Sequence, residues 1–401
     1  MGKQLLKLLT ILFFVYTVSF GAEVTYSETQ KTATEHALKM TELRQPELPE
    51  RLMRFTFQSG FDFEYPDAVR GIYVTGHSAG GERFETLIEL LGNTDLNAMV
   101  IDIKDDFGYL TYRTDEDSPF FDISKRYIKD TEEMMKRLEE EQIYPIARIV
   151  VFKDTVLAEL RPDLSFTENG KVWKNRRNEA FVNPFLKEVW DYNVDIAIKA
   201  AKLGFREIQF DYVRFPEGFE RRDEELTYDL GDYSDEARDN VTRRVDAVTD
   251  FVAYAKEKLE HYDVDVSVDI FGYAATISEA PGIGQNFSRI SENVDVISSM
   301  IYPSHWTSYF GIAKPDLQPY EIVNEYAKVE NKVLAQLENP PTSRPWIQDF
   351  TASYLGRGNY LVYGKEEVEA QIRALKENNI NEFLLWNAGN RYTPNVNHKM
   401  E

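Results

Sequence analysis

Two aspartates stand where apolar, strand-like runs of the sequence end, and their positions suggest acid–base and nucleophilic chemistry. Asp211 follows the run 206–210, and Asp269 follows the run 264–268. Cleavage of a glycosidic bond needs one carboxylic acid that holds a proton and one ionised carboxylate, about 5–5.5 Å apart in retaining enzymes. Neighbouring strands lie about 4.8 Å apart and can meet that spacing. We therefore predict Asp211 as the nucleophile and Asp269 as the acid/base.

Each aspartate also has a structural interpretation. Asp211 could form a stabilising ion pair with an arginine, and Tyr212 and Arg214 come close behind it. An adjacent arginine would favour the ionised form of Asp211, which a nucleophile requires. Asp269 could instead accept a hydrogen bond that orients a neighbouring group.

Further polar and aromatic residues follow the other strand-like runs, where they could contact a sugar. Aromatic rings suit the apolar faces of pyranoses, and acids, amides and bases suit the hydroxyl groups, although rings also fill protein cores. One cluster that closes the second and third runs could bind sugar hydroxyls, bind a cation or form a salt-bridge network, and it consists of Asp102, Lys104, Asp105, Asp106 and Arg148. The predicted substrate-binding residues are Arg214, Tyr212, Asp102, Lys104, Arg148, His77, Tyr302, His305, Trp306, Gln348, Trp386 and Asn387.

Eight strand-like runs alternate with helical patterns along the chain. Such alternation predicts a parallel sheet covered by helices, and in a closed (β/α)8 TIM barrel the active site lies at the carboxyl ends of the strands. Long βα loops are expected at 151–182, 212–233 and 302–318. The predicted strands are 70–75, 97–103, 143–150, 206–211, 264–270, 295–301, 344–349 and 381–387, and the predicted helices are 82–91, 124–141, 183–202, 234–261, 319–337 and 365–378.

The two ends of the chain carry separate expectations. Residues 1–22 are typical of a signal peptide, with Lys3 and Lys7 beside an apolar stretch at 8–20 and small residues at Gly21 and Ala22. An uncleaved anchor is the alternative, and either predicts an exported protein. The polar segment 23–66 is predicted to be helical around 31–43 and to pack on the barrel at 67–395. The reason is that the tail after the last predicted strand, which ends with 396–401, is too short for an eighth helix.

Composition limits the partners and the chemistry. A net charge of −22 argues against binding to nucleic acid or to an anionic membrane surface. The chain has no cysteine, and of its five histidines only His77 and His305 follow strand-like runs. We therefore predict no metal and no cofactor, with a polysaccharide or oligosaccharide as the partner. The oligomeric state stays open.

Three function classes compete. The segment Gly76-His77-Ser78-Ala79-Gly80 matches the G-x-S-x-G turn of serine hydrolases, but too little patterned sequence precedes it for that fold. A glycoside hydrolase or transglycosylase acting on a polysaccharide or cell-wall glycan is favoured. The alternatives are a catalytically silent barrel that binds carbohydrate and a metal-dependent or serine hydrolase of another bond.

Several sequence blocks resemble a known family, the bacterial putative glycoside hydrolase domain family of exported proteins. The most specific block is Gln209–Pro216 (QFDYVRFP), and Gly71–Gly76, Val100–Asp105 and Ile301–Trp306 support it. The resemblance covers about residues 65–395. It implies a TIM barrel distantly similar to α-amylase-type glycosidases, with the strand-four nucleophile at Asp211. Those relatives carry a glutamate acid on strand five, where this chain has Asp269.

Overall fold

The computed structural model describes residues 56–400, and its centre is a closed barrel of eight parallel strands. Each strand pairs in parallel with the next, and the last pairs with the first. The predicted (β/α)8 fold is confirmed. The strands are β1 (Arg70–Val74), β2 (Ala98–Lys104), β3 (Tyr144–Val150), β4 (Glu207–Asp211), β5 (Asp265–Phe271), β6 (Val296–Met300), β7 (Trp346–Gln348) and β8 (Phe383–Trp386).

Helices cover the outside of the barrel. Within the described part of the chain, no helix combines the length and the apolar character needed to cross a membrane. The α-helices are α1 (Gly76–Ala79), α2 (Arg83–Gly92), α3 (Thr131–Glu140), α4 (Thr155–Leu160), α5 (Lys187–Leu203), α6 (Asn240–Leu259), α7 (Phe287–Ser291), α8 (Pro319–Leu334) and α9 (Lys365–Glu377).

Three predicted helices begin later than expected. Residues Ser124–Ile128 form a strand that pairs with Leu110–Tyr112, and α3 begins only after Asp130, whose carboxylate caps it. Asn183, the predicted start of α5, accepts a hydrogen bond within a turn, and α5 begins at Lys187. Asp239 caps α6, five residues after the predicted start at Ser234. In all three cases the first residues of the helical pattern belong to the structure before the helix, which is a strand in the first case and a loop in the other two.

The end of α5 is as predicted. Gly204 has φ +110°, a left-handed conformation that glycine adopts without the steric cost of a Cβ. The chain then turns directly into β4, so this cap sets the entry of the strand that carries Asp211.

An extended tail takes the place of an eighth helix. Residues 387–400 form no helix. The Asn397 amide donates to Glu369 of α9, and Lys399 lies 3.6 Å from Asp67, which precedes β1. His398 between them is only 3 % exposed. The tail therefore contacts α9 and the segment before β1, the two elements between which an eighth helix would lie. The helix predicted near 31–43 lies outside the described residues.

Alternation along the strands divides the core into two apolar regions. Side chains such as Val100, Ile146, Trp346 and Leu384 pack together inside the barrel. The residues between them on the same strands, such as Ile101, pack against the helices. Since consecutive strand residues point to opposite sides, every second residue of β2 to β5 points into the barrel, and the last of these inward residues lie at the site.

The lower end of the barrel, where the strands begin, is closed by charged groups. Arg344 is fully buried and forms ion pairs with Glu207 at 2.6 Å and Glu382 at 2.7 Å. The Tyr65 hydroxyl accepts a hydrogen bond from Arg344 and donates one to Glu382. Buried charges are tolerated when they are paired in this way.

Candidate active site

A buried arginine joins three carboxylates at the carboxyl end of the barrel. Arg148 of β3 is 1 % exposed, and its Nη1 lies 2.7 Å from Asp102 of β2. Its Nη2 and Nε lie 2.5 and 2.9 Å from Asp211 of β4. Asp106, just after β2, contributes a longer contact of 3.4 Å. One guanidinium therefore holds acidic side chains from both neighbouring strands in fixed positions.

Both carboxylate oxygens of Asp211 accept hydrogen bonds. Oδ2 receives the two N–H groups of Arg148, and Oδ1 receives the backbone N–H of Tyr212 at 2.6 Å. The arginine beside Asp211 is thus Arg148 and not Arg214. The Arg214 guanidinium instead stacks between the rings of Tyr212 and Phe271.

Asp269 lies beside Asp211 in a different environment. The register that pairs Phe210 with Val268 places these two aspartates side by side on β4 and β5. Asp269 is 2 % exposed, and its Oδ1 accepts a hydrogen bond of 2.7 Å from the Trp346 indole. Burial raises the pKa of Asp269 well above its usual range, and the negative charge of Asp211 raises it further. The protonated form of Asp269 is therefore favoured.

The two aspartates on the other side of Arg148 also differ in acidity. Burial raises the pKa of Asp102 to about 6 despite the charge of Arg148. Burial acts in the same direction on Asp106, but Arg148 and Lys153 outweigh it and lower the pKa of Asp106 to about 2. Lys153 also lies 3.6 Å from Glu179 in the loop after β3.

Aromatic rings form a wall beside the carboxylates. Trp386 of β8 stacks on Tyr73 of β1, with ring centres 4.2 Å apart. Trp346 packs edge-on against the Trp386 ring at 5.4 Å. Tyr302 lies 6.2 Å from Trp386. Burial raises the pKa of Tyr302, and the charges of Asp269 and Asp211 raise it further. The wall, defined as Tyr73, Tyr302, Trp346 and Trp386, adjoins the acidic cluster, because the Arg148 guanidinium lies 5.5 Å from the Tyr73 ring and 5.6 Å from the Trp386 ring. We call this region at the carboxyl end of the barrel the pocket.

Lys104 lies elsewhere. The register between β2 and β3 shifts between Asp102 and Lys104, and this irregularity turns Lys104 toward the helices. Its ammonium is fully buried, 2.6 Å from Asp154 and 2.9 Å from the Asn193 side chain of α5. It anchors the loop after β3 rather than facing the pocket.

The side-chain amides of Gln348 and Asn387 form hydrogen bonds with other groups of the protein. Gln348 accepts from the backbone of Ser304 and donates to Asp316. Asn387 donates to the carbonyl of Asp349 and accepts from the backbone of the turn that follows it. Both therefore stabilise the loops around the pocket.

Three predicted residues lie at the margin of the pocket or beyond it. The Trp306 ring packs 5.8 Å from Tyr326 of α8, outside the barrel. His305 retains contact with solvent and lies 4.9 Å from the Tyr302 ring. The exposed His77 ring stacks on Tyr127 at 3.8 Å.

The serine motif shows no catalytic arrangement. Ser78 lies in the four-residue helix α1, and its backbone N–H donates to Thr75, which caps that helix. Among residues 56–400, no histidine forms a hydrogen bond with the Ser78 hydroxyl, and no group of three or more histidine, aspartate or glutamate side chains could hold a metal ion.

Three pocket residues were not predicted as site residues, and a fourth, Asp106, was expected only as a member of the cluster that closes the second strand. Tyr73 donates to Asp102 at 2.5 Å, and Trp346 donates to Asp269. Both stand inside strands at inward positions, so the alternation of β1 and β7 could have identified them. Asp106 and Lys153 lie two or three residues beyond their strands, where sequence alone does not define the direction of a side chain.

Comparisons with known proteins agree with this architecture. A family model described as "Putative glycosyl hydrolase domain" matches residues 71–392. The structure resembles the glycoside hydrolase domain of PgaB (BpsB) from Bordetella bronchiseptica, with a TM-score of 0.55, 14 % identity and coverage of 80 % of this chain and 95 % of that one. No curated protein matches the chain.

Two further solved structures are similar at lower TM-scores. A hypothetical protein from Ruminiclostridium thermocellum is 32 % identical, with a TM-score of 0.43 and coverage of 49 % of this chain and 96 % of that one. The glycoside hydrolase domain of PelA from Pseudomonas aeruginosa is 11 % identical, with a TM-score of 0.44 and coverage of 82 % and 97 %.

Proposed function

Because the chain belongs to the glycosyl hydrolase domain family that matches residues 71–392, we propose that it cleaves glycosidic bonds in a polysaccharide or oligosaccharide. Asp211 is the nucleophile and Asp269 the acid/base of this proposal. The observation that carries it is the contrast between two neighbouring carboxyl groups, one paired with Arg148 and the other buried with a raised pKa. Such a contrast is how acid and base roles are assigned in glycosidases.

The proposed reaction has two steps. Asp269 gives its proton to the glycosidic oxygen while an Asp211 oxygen forms a bond to the anomeric carbon, and the leaving sugar departs as an alcohol. Water then attacks the same carbon and releases Asp211, while Asp269 takes the proton of that water. Strand spacing of about 4.8 Å is compatible with the short carboxyl separation of a retaining mechanism.

The coupling of the two aspartates suits both steps. The negative charge of Asp211 helps to keep Asp269 protonated. Once Asp211 is part of a covalent glycosyl ester, that charge is gone, and the pKa of Asp269 falls. Asp269 is then better able to accept a proton in the second step, as microscopic reversibility requires.

The aromatic wall is the proposed surface for a sugar ring. Trp386 is partly exposed, stacks on Tyr73 and lies 6.2 Å from the tilted Tyr302 ring. A pyranose lying on Trp386 would cover apolar ring surface and leave its hydroxyl groups for the polar cluster around Arg148.

Release of reducing ends from a panel of glycans tests this function. We expect activity from the wild type and a loss of about 10²–10⁴-fold in Asp269→Asn, the usual contribution of a general acid, with a comparable or larger loss in Asp211→Asn. Asp265→Asn is the matched control, because Asp265 stands on the same strand as Asp269 but at the lower end. Full activity in Asp211→Asn would refute the assignment.

One observation favours a second candidate, a silent barrel that binds carbohydrate. Both oxygens of Asp211 are engaged by Arg148 and Tyr212, as they would be in a purely structural ion pair. In that case the wild type and Asp211→Asn would bind the same oligosaccharides, and neither would release reducing ends.

Export is the second part of the proposal and rests on residues 1–22. Amino-terminal sequencing of the protein recovered from fractionated cells tests it. We expect the mature chain outside the cytoplasm, beginning near Gly21 or Ala22. An intact first methionine in a cytoplasmic fraction would contradict this.

A further inference from the structure

A short turn in the loop after β3 presents two arginines that form no ion pair within residues 56–400. Arg176 and Arg177 are adjacent and exposed, and neither forms a salt bridge with any residue of the described chain. Two nearby cations are paired, Lys174 with Glu159 and Arg222 with Glu168. The turn therefore presents two adjacent guanidinium groups that no carboxylate of the described residues neutralises directly.

The backbone of this turn is held firmly without help from the arginine side chains. The Asn175 side chain accepts hydrogen bonds from the backbone N–H groups of Arg177 and Glu179, at 2.9 and 3.0 Å. Its own amide donates to the Glu179 carboxylate at 2.6 Å. Asn178 adopts φ +63°, which asparagine tolerates better than most residues. The two guanidinium groups are thus carried on an ordered support and remain available.

A chain of ion pairs links the turn to the catalytic cluster. Glu179 lies 3.6 Å from Lys153, and Lys153 contacts Asp106, which in turn contacts Arg148. Arg148 is the residue that holds Asp211. The turn therefore stands at the rim of the same pocket, on the side of β3.

The charge of Arg177 is also felt at the loop after β6. His305 in that loop is exposed, but the protein beside its imidazole lowers its pKa, and the positive charge of Arg177 lowers it further, while Glu217 opposes both effects. Glu217 is itself paired with Arg214 at 3.3 Å. Arg177 is therefore near enough to His305 to act on it electrostatically.

We propose that the turn 175–179 binds an acidic group of the glycan, so that the substrate is an anionic polysaccharide bearing carboxylate, sulfate or phosphate substituents. Arg176 and Arg177 are the binding residues, since guanidinium groups pair with such oxyanions through parallel hydrogen bonds. Local contacts of this kind outweigh the acidic remainder of the surface, because charges further away than about 8 Å are screened at physiological salt. The inference rests on the proposed function.

Binding to the Asp211→Asn variant, which the proposed mechanism makes unable to turn over its ligand, tests the inference. The probes are oligogalacturonate for a carboxylate, dextran sulfate for a sulfate, phosphorylated dextran for a phosphate ester and dextran oligosaccharide as the neutral arm. We expect at least one anionic probe to bind about tenfold more tightly than the neutral one, with affinity falling as salt rises. Adding Arg176→Gln and Arg177→Gln should weaken that binding about tenfold or more, as expected for lost hydrogen bonds to charged groups.

The matched control removes two positive charges from the outer helices. Lys332 of α8 and Arg373 of α9 are exposed, and Lys332→Gln with Arg373→Gln should leave the affinities unchanged. Equal binding of neutral and anionic probes, no binding of any anionic probe, or equal losses in the two double variants would overturn the inference. Failure of the proposed function appears separately, as a wild type that releases no reducing ends from any member of the glycan panel described above.

Discussion

Asp102 makes the unfolding free energy depend on pH in a way that one substitution should remove. Its pKa is about 6 in the folded chain, because it is buried, against an ordinary value of 3.8. Between these values the folded state keeps a proton that the unfolded state has released. The stabilisation from this group is therefore complete below about pH 4 and is lost as the pH rises through 6.

The size of the effect follows from the same two values. Each pKa unit corresponds to about 1.4 kcal/mol, so the difference between 3.8 and about 6 is worth about 3 kcal/mol in total. About 2.4 kcal/mol of this falls between pH 4 and pH 7, because the unfolded state has already released part of its proton at pH 4. Asparagine at this position can still accept from Arg148 but does not titrate. Between pH 4 and pH 7 the unfolding free energy of the wild type should therefore fall by about 2.4 kcal/mol relative to that of Asp102→Asn.

Urea denaturation at pH 4, 5, 6 and 7 measures this difference. Asp106→Asn is the matched control, because Asp106 contacts the same arginine but has a pKa of about 2. The contribution of Asp106 is present above pH 3.8 and is lost only as the pH falls through 2, so its variant should run parallel to the wild type between pH 5 and 7. Parallel curves for Asp102→Asn would refute the reasoning.

Three further outcomes are expected. Trp346→Phe removes the N–H that stabilises ionised Asp269, so the basic limb of the pH–rate profile should move to higher pH, and a move to lower pH would contradict the assigned hydrogen bond. Ser78→Ala should leave reducing-end release unchanged, whereas a loss beyond tenfold would restore the serine hydrolase alternative. Arg344→Leu leaves Glu207 buried without its cation and should lower the unfolding free energy by about 3–5 kcal/mol in urea denaturation; a loss below about 1 kcal/mol would show that the pair is dispensable.

The strands of the barrel could be predicted because each is a short apolar run bounded by polar or turn-forming residues. All eight predicted strands lie within two residues of the observed ones at each end. The segment 124–141 failed because its helical pattern extends back over Ser124–Ile128, whose strand conformation comes from pairing with Leu110–Tyr112. Local propensity is a weak guide where such tertiary pairing decides.

Part of the site could be predicted for a similar reason. An ionisable residue at the end of an apolar strand must face either the pocket or a partner, and Asp211 and Arg148 do both. Lys104 differs because the register shift after Asp102 reverses its direction, and a single sequence carries no sign of such a bulge. Trp346 was overlooked because it stands within its strand rather than at the end.

Arg148 has an evolutionary consequence. A single guanidinium neutralises acidic side chains from the strands on both sides of it, so Asp102 and Asp211 share one counter-ion. Replacing either aspartate with a neutral residue leaves part of the positive charge of Arg148 uncompensated in a buried site. The effect of replacing the other aspartate then depends on whether the first replacement has already been made. Epistasis among these three positions should therefore be strong, and in diverging descendants of this barrel they are expected to change together or not at all.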